Sequence, residues 1–379
     1  MELKKVVIVD FARSPISKAK DGALNALPPL DFASQVVRQL IERNPKVPVN
    51  EIEMLVAGCA MPEAEAGLNI ARCLVVKAGL PLSVAGITVN QFCASSQYAL
   101  MDVVNALACG KGEIALAVGV EHMVRIPMGG FNPFYDKELK EKNFYVSMGL
   151  TAENLAKDLN IARDDQEKFS ADSHRKAMAA WDVGAFAHEV VPITLADGSK
   201  FTRDECPRLP EPDKMKTLTP AFDAQGTVTA ATASPVSSGA CAMILMTEEK
   251  AKSLGLTPRA TIVTTAVSGC DYERMGLGPL PATQKALQRA NLVLKDIDII
   301  ELNEAFAAQS LYVIRKGDWP LEKVNVLGGA IALGHPLGMS GLRIVGTAVT
   351  ALEKVNGKRA LATLCVGGGQ GAATIIERR

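Results

Sequence analysis

Short, nearly uninterrupted apolar runs alternate along this chain with segments of helical spacing. Lys4-Lys-Val-Val-Ile-Val-Asp10 reads as a buried strand, because a strand covered on both faces loses the polar–apolar alternation. Residues 49–58 and 294–303 share an acidic-apolar entry followed by a buried strand. Residues 85–93 read as a strand leading into a helix, with apolar positions Tyr98, Leu100, Val103, Val104 and Leu107 and an end near Gly110. The counterpart is the run 324–329, followed by His335 and a helix through Leu342, Ile344 and Val345. Residues 113–119 parallel 359–367, and the opening run 6–10 lies beside 260–265 in the same alignment. Matches that recur in one order point to an internal repeat. The pattern therefore predicts an α/β fold of two pseudo-repeated halves, each a mixed sheet with helices between strands. Packed back to back, the halves bury a large shared layer. Cys93 and His335 then occupy equivalent strand-to-helix turns, and a site forms where the halves meet.

Different material lies between the halves. Residues 127–145 are rich in aromatics and glycine, 151–159 and 164–181 have helical spacing, and 200–220 are charged and proline-rich. Residues 121–220 read as an inserted loop domain, since long insertions in compact proteins serve as lids or binding loops. The first half is expected to resume with 226–234 and then the apolar run 241–246, with a helix and linker over 248–258. The predicted organisation is 1–120 with 221–250 as the N-terminal half, 121–220 as the insertion, and 258–379 as the C-terminal half.

Composition narrows the function. The 379 residues are 48% hydrophobic and 22% charged with zero formal net charge, ample for a large core but without the basic balance that nucleic-acid binding requires. An anionic ligand must be held by local lysines, arginines and helix N-termini. No apolar run reaches the length of a membrane span. The first strand begins almost at Met1, which leaves no room for a signal or transit peptide, and the terminal Glu-Arg-Arg is no peroxisomal address. The eight cysteines, at 59, 73, 93, 109, 206, 241, 270 and 365, form no Cys-x-x-Cys pair and no zinc spacing. They read as reduced thiols of a cytoplasmic protein, with no metal site.

Three residues carry candidate chemistry. His335 stands in Gly328-Gly-Ala-Ile-Ala-Leu-Gly-His335-Pro336-Leu-Gly338, where glycines allow close approach and Pro336 suits a first helical turn. Such a histidine serves as a base near neutral pH, or is a turn histidine satisfied by backbone. Cys93 precedes a helix, whose N-terminal potential is expected to lower its pKa and favour the thiolate; the alternative is a buried core cysteine. Cys365 ends a strand before Val366-Gly-Gly-Gly-Gln-Gly371, where glycine N–H groups can stabilise an oxyanion. That loop is no dinucleotide fingerprint, because it opens no helix and only a strand-like tail follows. Asn303, at the end of the apolar run 297–302, either holds a water or carbonyl oxygen or caps a helix.

Taken together, Val89-Asn-Gln-Phe-Cys93-Ala-Ser-Ser96, Gly149-Leu-Thr-Ala-Glu-Asn154, Met275-Gly-Leu-Gly-Pro279, Asn303-Glu-Ala-Phe306, the run 328–338 and Cys365-Val-Gly-Gly-Gly resemble the thiolase family over essentially the whole chain. The resemblance is closest to the degradative branch, the 3-ketoacyl-CoA thiolases of fatty-acid β-oxidation, including the β subunit of the bacterial fatty-acid oxidation complex. It implies halves packed in five layers and an insertion that binds CoA. It implies that Cys93 is the acylated nucleophile, His335 its base and Cys365 the second acid/base. Asn303, through a water, belongs to one oxyanion hole, and the backbone N–H groups of Cys93 and Gly367 form the other. Ser234 lies near the pantetheine, Met148, Met275 and Phe306 line the site, and Arg208 packs on the adenine. CoA is a substrate and no cofactor is implied. Relatives are dimers or dimers of dimers, some beside a hydratase/dehydrogenase subunit. Ser96, Ser147, Thr219, Ser238 and Leu327 depart from frequent family residues, and none removes a catalytic group. The lack of a CoA-contacting histidine at Ser147 favours the degradative branch over a biosynthetic acetoacetyl-CoA thiolase. Cys365 argues against a decarboxylating synthase, and the intact catalytic set against a non-enzymatic lipid binder.

Overall fold

The structure, a computed structural model, describes residues 3–379. The N-terminal half carries β1 (Val6–Arg13), the two-residue β2 (Ser17–Lys18), α1 (Pro29–Glu42), β3 (Ile52–Gly58), α2 (Ile70–Lys77), β4 (Ala85–Val89), α3 (Ser95–Ala108) and β5 (Ile114–His122). After it come α4 (Lys137–Glu141), α5 (Met148–Asp158), α6 (Arg163–Asp182), the small pair β6 (Ile193–Thr194) and β7 (Lys200–Phe201), and α7 (Pro212–Lys216). The chain then returns through β8 (Ser237–Thr247) and α8 (Glu248–Ser253). The C-terminal half holds β9 (Ala260–Gly269), α9 (Pro279–Ala290), β10 (Ile299–Leu302), α10 (Ala307–Gly317), α11 (Ala330–Leu333), α12 (Leu337–Val355), β11 (Arg359–Val366) and β12 (Gln370–Arg378).

The strands run β10-β11-β12-β9-β1-β8-β5-β3-β4, with β2 on β8. Each half repeats one scheme. A parallel pair (β3 with β5, β10 with β11) is followed by an antiparallel strand (β8 or β12) and then by the opening strand (β1 or β9). The halves join where β1 and β9 pair antiparallel over only two positions, Val7 with Thr261 and Ile8 with Ala260. The counterpart of β4 in the second half is reduced to one bridge between Ile300 and Val324.

Side-chain alternation builds the layers. In β1, Val6 and Ile8 face a central cluster and Val7 and Val9 an outer one; β5 divides Ala115 and Ala117 from Leu116 and Val118 in the same way. The central cluster includes α3 and α12, the outer N-terminal cluster α1 and α2, and the outer C-terminal cluster residues of α9 and α10. The result is five layers, helix–sheet–helix–sheet–helix. Every residue of α12 from Leu337 to Leu352 is buried, which explains why apolar residues occur on every side of this helix, with Ser340, Arg343, Thr347 and Thr350 buried among them. Gly341 lets it approach α3, since a Cβ there would lie 2.7 Å from that of Gln97.

Residues 226–236 run as turns and extended loop, and the sheet resumes at Ser237 with β8, an interior strand between β1 and β5. Thr229 and Thr232 spend their hydroxyls on local backbone bonds and hold a turn there. The material between β5 and β8 is anchored deep in the N-terminal half. The buried Arg13 guanidinium donates to both carboxylate oxygens of Asp204, at 2.8 and 3.0 Å, and to Glu189 at 3.4 Å. Among the described residues no helix is long and apolar enough to cross a membrane.

Candidate active site

The candidate residues lie at the ends of β4, β10 and β11 and at the turn between α11 and α12. After β4 the chain bends through Phe92, at a left-handed φ of 43°, into a single 3₁₀ turn holding Cys93. The Ser95 hydroxyl secures this turn by donating to the Phe92 carbonyl at 2.6 Å and accepting from the Gln91 N–H at 3.0 Å. Ser96, beside the nucleophile candidate, donates to the Met339 carbonyl and accepts from the Leu342 N–H, which joins α3 to α12. Cys93 is 2% exposed.

His335 sits just before α12, which starts at Leu337 with Pro336 as its N-cap. Its backbone N–H donates to Ser237 Oγ at 2.9 Å. The ring is oriented by Ser340, whose hydroxyl lies 2.6 Å from Nδ1 and donates its one proton to the Pro336 carbonyl at 2.8 Å. With the hydroxyl proton on that carbonyl, Nδ1 takes the ring proton and Nε2 is the ring's acceptor. Nε2 faces the Asn303 side-chain amide at 3.3 Å. Asn303 follows β10, is fully buried, and leaves its Oδ1 without a protein partner. A buried acceptor left without a protein partner calls for a water or a ligand group to satisfy it.

Cys365 is the penultimate residue of β11. Leu364 and Val366 face the central layer, so Cys365 belongs to the opposite face of the strand, among the C-terminal outer cluster. The next turn brings the Gly367 N–H onto the Cys93 sulfur. It is made possible by Gly368 and Gly369, both at positive φ.

The electrostatics correct one expectation. Burial pushes the Cys93 thiol up to about 11, overcoming the Gly367 N–H that favours the thiolate. The helix N-terminus was expected to lower it, but desolvation wins in a site this closed. Burial also raises Cys365 well above the usual thiol range, and the neighbouring Cys93 and Cys270 thiols add to this. His335 is lowered to about 3, chiefly by burial and then by the Arg343 charge. At neutral pH the resting site thus holds two thiols and a neutral imidazole.

The other candidate residues gather on the insertion side. Met148 opens α5, Met275 and Phe306 share the C-terminal outer cluster, and Phe306 meets Phe222 edge-on at 5.7 Å. The segment ending at Ser234 runs along the Asn303–Phe306 turn, with Ser234 N–H donating to the Ala305 carbonyl at 3.0 Å. Arg208 lines a separate cavity of about 290 Å³ with His174, Lys214, Met215 and Ala231. The sequence reading did not single out Phe222, Lys214 or His174. It also passed over Ser340, although its place one helical turn past Pro336 is a readable signal.

Two facing α/β halves that share two thiols and an imidazole define a class of acyl-transfer site, and the comparisons agree. The thiolase N-terminal domain matches residues 6–249 and the thiolase C-terminal domain residues 256–378. The chain is 47% identical over 390 residues to a 3-ketoacyl-CoA thiolase of Idiomarina loihiensis, covering 99% of this chain and 100% of the relative. It is 46% identical over 389 residues to one of Vibrio vulnificus, with the same coverage. Among solved structures, human mitochondrial 3-ketoacyl-CoA thiolase superposes with a TM-score of 0.92 at 34% identity. Bacillus anthracis acetyl-CoA acetyltransferase does so with 0.92 at 35%, and each pair covers 100% of both chains. The chain belongs to the thiolase family.

Proposed function

We propose that this chain is a 3-ketoacyl-CoA thiolase (acetyl-CoA C-acyltransferase), cleaving 3-ketoacyl-CoA with CoA to acetyl-CoA and an acyl-CoA two carbons shorter. The observation that supports the reading is that the Gly367 N–H meets the Cys93 sulfur and Asn303 meets His335 Nε2, at turns flanking the two central helices, in a chain similar end to end to relatives of that name.

His335 Nε2 takes the Cys93 proton as the sulfur attacks the 3-keto carbon. Charge on that oxygen is stabilised by the N–H groups of Cys93 and Gly367. The C2–C3 bond breaks, its electron pair becomes the enolate of acetyl-CoA, and Cys365 protonates that carbon. The thioester oxygen of the enolate is held by protonated His335 and by Asn303 through a water. CoA then enters, gives its proton to the Cys365 thiolate and attacks acyl-Cys93; Cys93 leaves and recovers its proton from His335. A resting Cys365 kept as a thiol by burial suits its first task, which is to donate. In this reading Ser234, Met148, Met275 and Phe306 hold the pantetheine arm. Arg208, with Lys214 beside it, meets the adenine end.

The equal structural likeness to an acetyl-CoA acetyltransferase keeps acetoacetyl-CoA as the competing substrate. A chain-length series decides. The expected result is a higher kcat/KM for medium-chain 3-ketoacyl-CoA than for acetoacetyl-CoA, and a strong preference for the latter assigns the chain to the short-chain branch instead.

The reading includes a cytoplasmic homodimer. The outer side of β4 has no strand neighbour, and Leu68, Ile87 and Phe92 around it are exposed apolar residues. Light scattering should give twice the chain mass of 40.2 kDa, or a multiple of it. A monomer removes this part of the reading, and sizing with a hydratase/dehydrogenase subunit tests that partner in the same way.

A further inference from the structure

Beneath the turn that carries His335 lies a carboxylate that the steps above do not use. Glu121 is the penultimate residue of β5 and is 1% exposed. One of its oxygens, Oε2, accepts from two backbone N–H groups, that of Ala60 at 2.8 Å and that of Gly338 at 2.9 Å. Oε1 is 3.9 Å from the Cys59 sulfur. Ala60 lies just past β3, in the half that carries Cys93. Gly338 is the second residue of α12, three positions after His335. Its N–H is one of the free donors of a helix N-terminus, where a carboxylate is the favoured acceptor. A Cβ at position 338 would come within 2.8 Å of Oε2 and 2.6 Å of the Val120 carbonyl, so glycine is what allows the approach.

We propose, building on the thiolase reading above, that Glu121 is a positioning residue: its Oε2 fastens the start of α12, and with it His335, to the half that supplies the nucleophile. Proton transfer between sulfur and imidazole tolerates little misplacement, and an error of about 1 Å costs on the order of 100-fold in rate. Ser96, from α3, and Ser237, at the start of β8, secure neighbouring points of the same turn from the same half, and Glu121 adds a third anchor that also reaches the loop after β3. Burial raises its carboxyl to about 7 against the pull of the Ala60, Gly338 and Met61 N–H groups and of the Cys59 thiol. Protonation on Oε1 would leave Oε2 an acceptor, so the fastening needs reach rather than charge.

Two variants separate reach from charge. Glu121→Gln keeps an oxygen at the Oε2 position and loses the charge. Glu121→Asp keeps the charge and withdraws it by one methylene. The expected result is kcat within threefold of wild type for E121Q. E121D is expected to lose at least tenfold in kcat, with KM for both substrates within twofold. The proposal is overturned if E121Q loses more than tenfold, or if folded E121D stays within threefold of wild type. It is also overturned if E121D loses through KM rather than kcat. Wild-type turnover in the same assay tests the underlying thiolase reading separately.

Discussion

Cys93→Ser leaves the protein folded and lowers kcat for thiolysis by about 10⁴-fold or more, the scale on which removing a nucleophile acts. The substitution exchanges one atom at a nearly closed site, so packing in the central layer barely changes. Chemistry changes completely. A neutral imidazole and a hydroxyl of much higher pKa than a thiol give no competent nucleophile, and an oxygen ester would not return its acyl group to CoA as a thioester does. Steady-state turnover of a medium-chain 3-ketoacyl-CoA measures the loss. Intact-mass spectrometry after substrate alone should find one acyl adduct on wild type and none on C93S. Turnover above one hundredth of wild type, or an adduct on the variant, removes Cys93 from its role.

His335→Ala costs about 10²- to 10⁴-fold in kcat, the usual range for a positioned acid/base. The expected pH behaviour follows from the direction of its shift. Burial lowers the imidazole to about 3, so it is already the neutral base at every pH above that. Falling pH from 8 to 5 therefore does not switch the base off, and kcat/KM of wild type should show no acid limb near the ordinary histidine value. The Cys93 thiol, raised to about 11, likewise stays protonated through this range. The attack must then begin with proton transfer to Nε2 rather than from a preformed ion pair. An acid limb near 6.5 in wild type that vanishes in H335A contradicts this account.

Much of the arrangement was legible because the candidate residues sit where the chain pattern changes. Cys93 and Asn303 follow apolar strands, His335 follows a glycine-rich turn and Cys365 lies at a strand end. The repeat was legible for the same reason, as buried strands in one order. Ionisation was not: the motif around Cys93 announces a helix N-terminus, while the winning effect, burial, depends on α12 and the Gly367 turn arriving from more than 200 residues away. Glu121 could not be read at all, since an acidic residue in an apolar strand gains its meaning only from the two N–H groups it meets. The joining of the halves through two residue pairs of β1 and β9 leaves no trace in periodicity.

The equivalence of the turns bearing Cys93 and His335 has an evolutionary corollary. Two identical chains related by a strict twofold axis would place the same residue at both turns, giving either paired sulfurs or paired imidazoles. Fusion into a single polypeptide frees each copy to mutate alone. In the proposed mechanism one turn can then supply the nucleophile and its counterpart the proton acceptor, a division that two identical chains could not make.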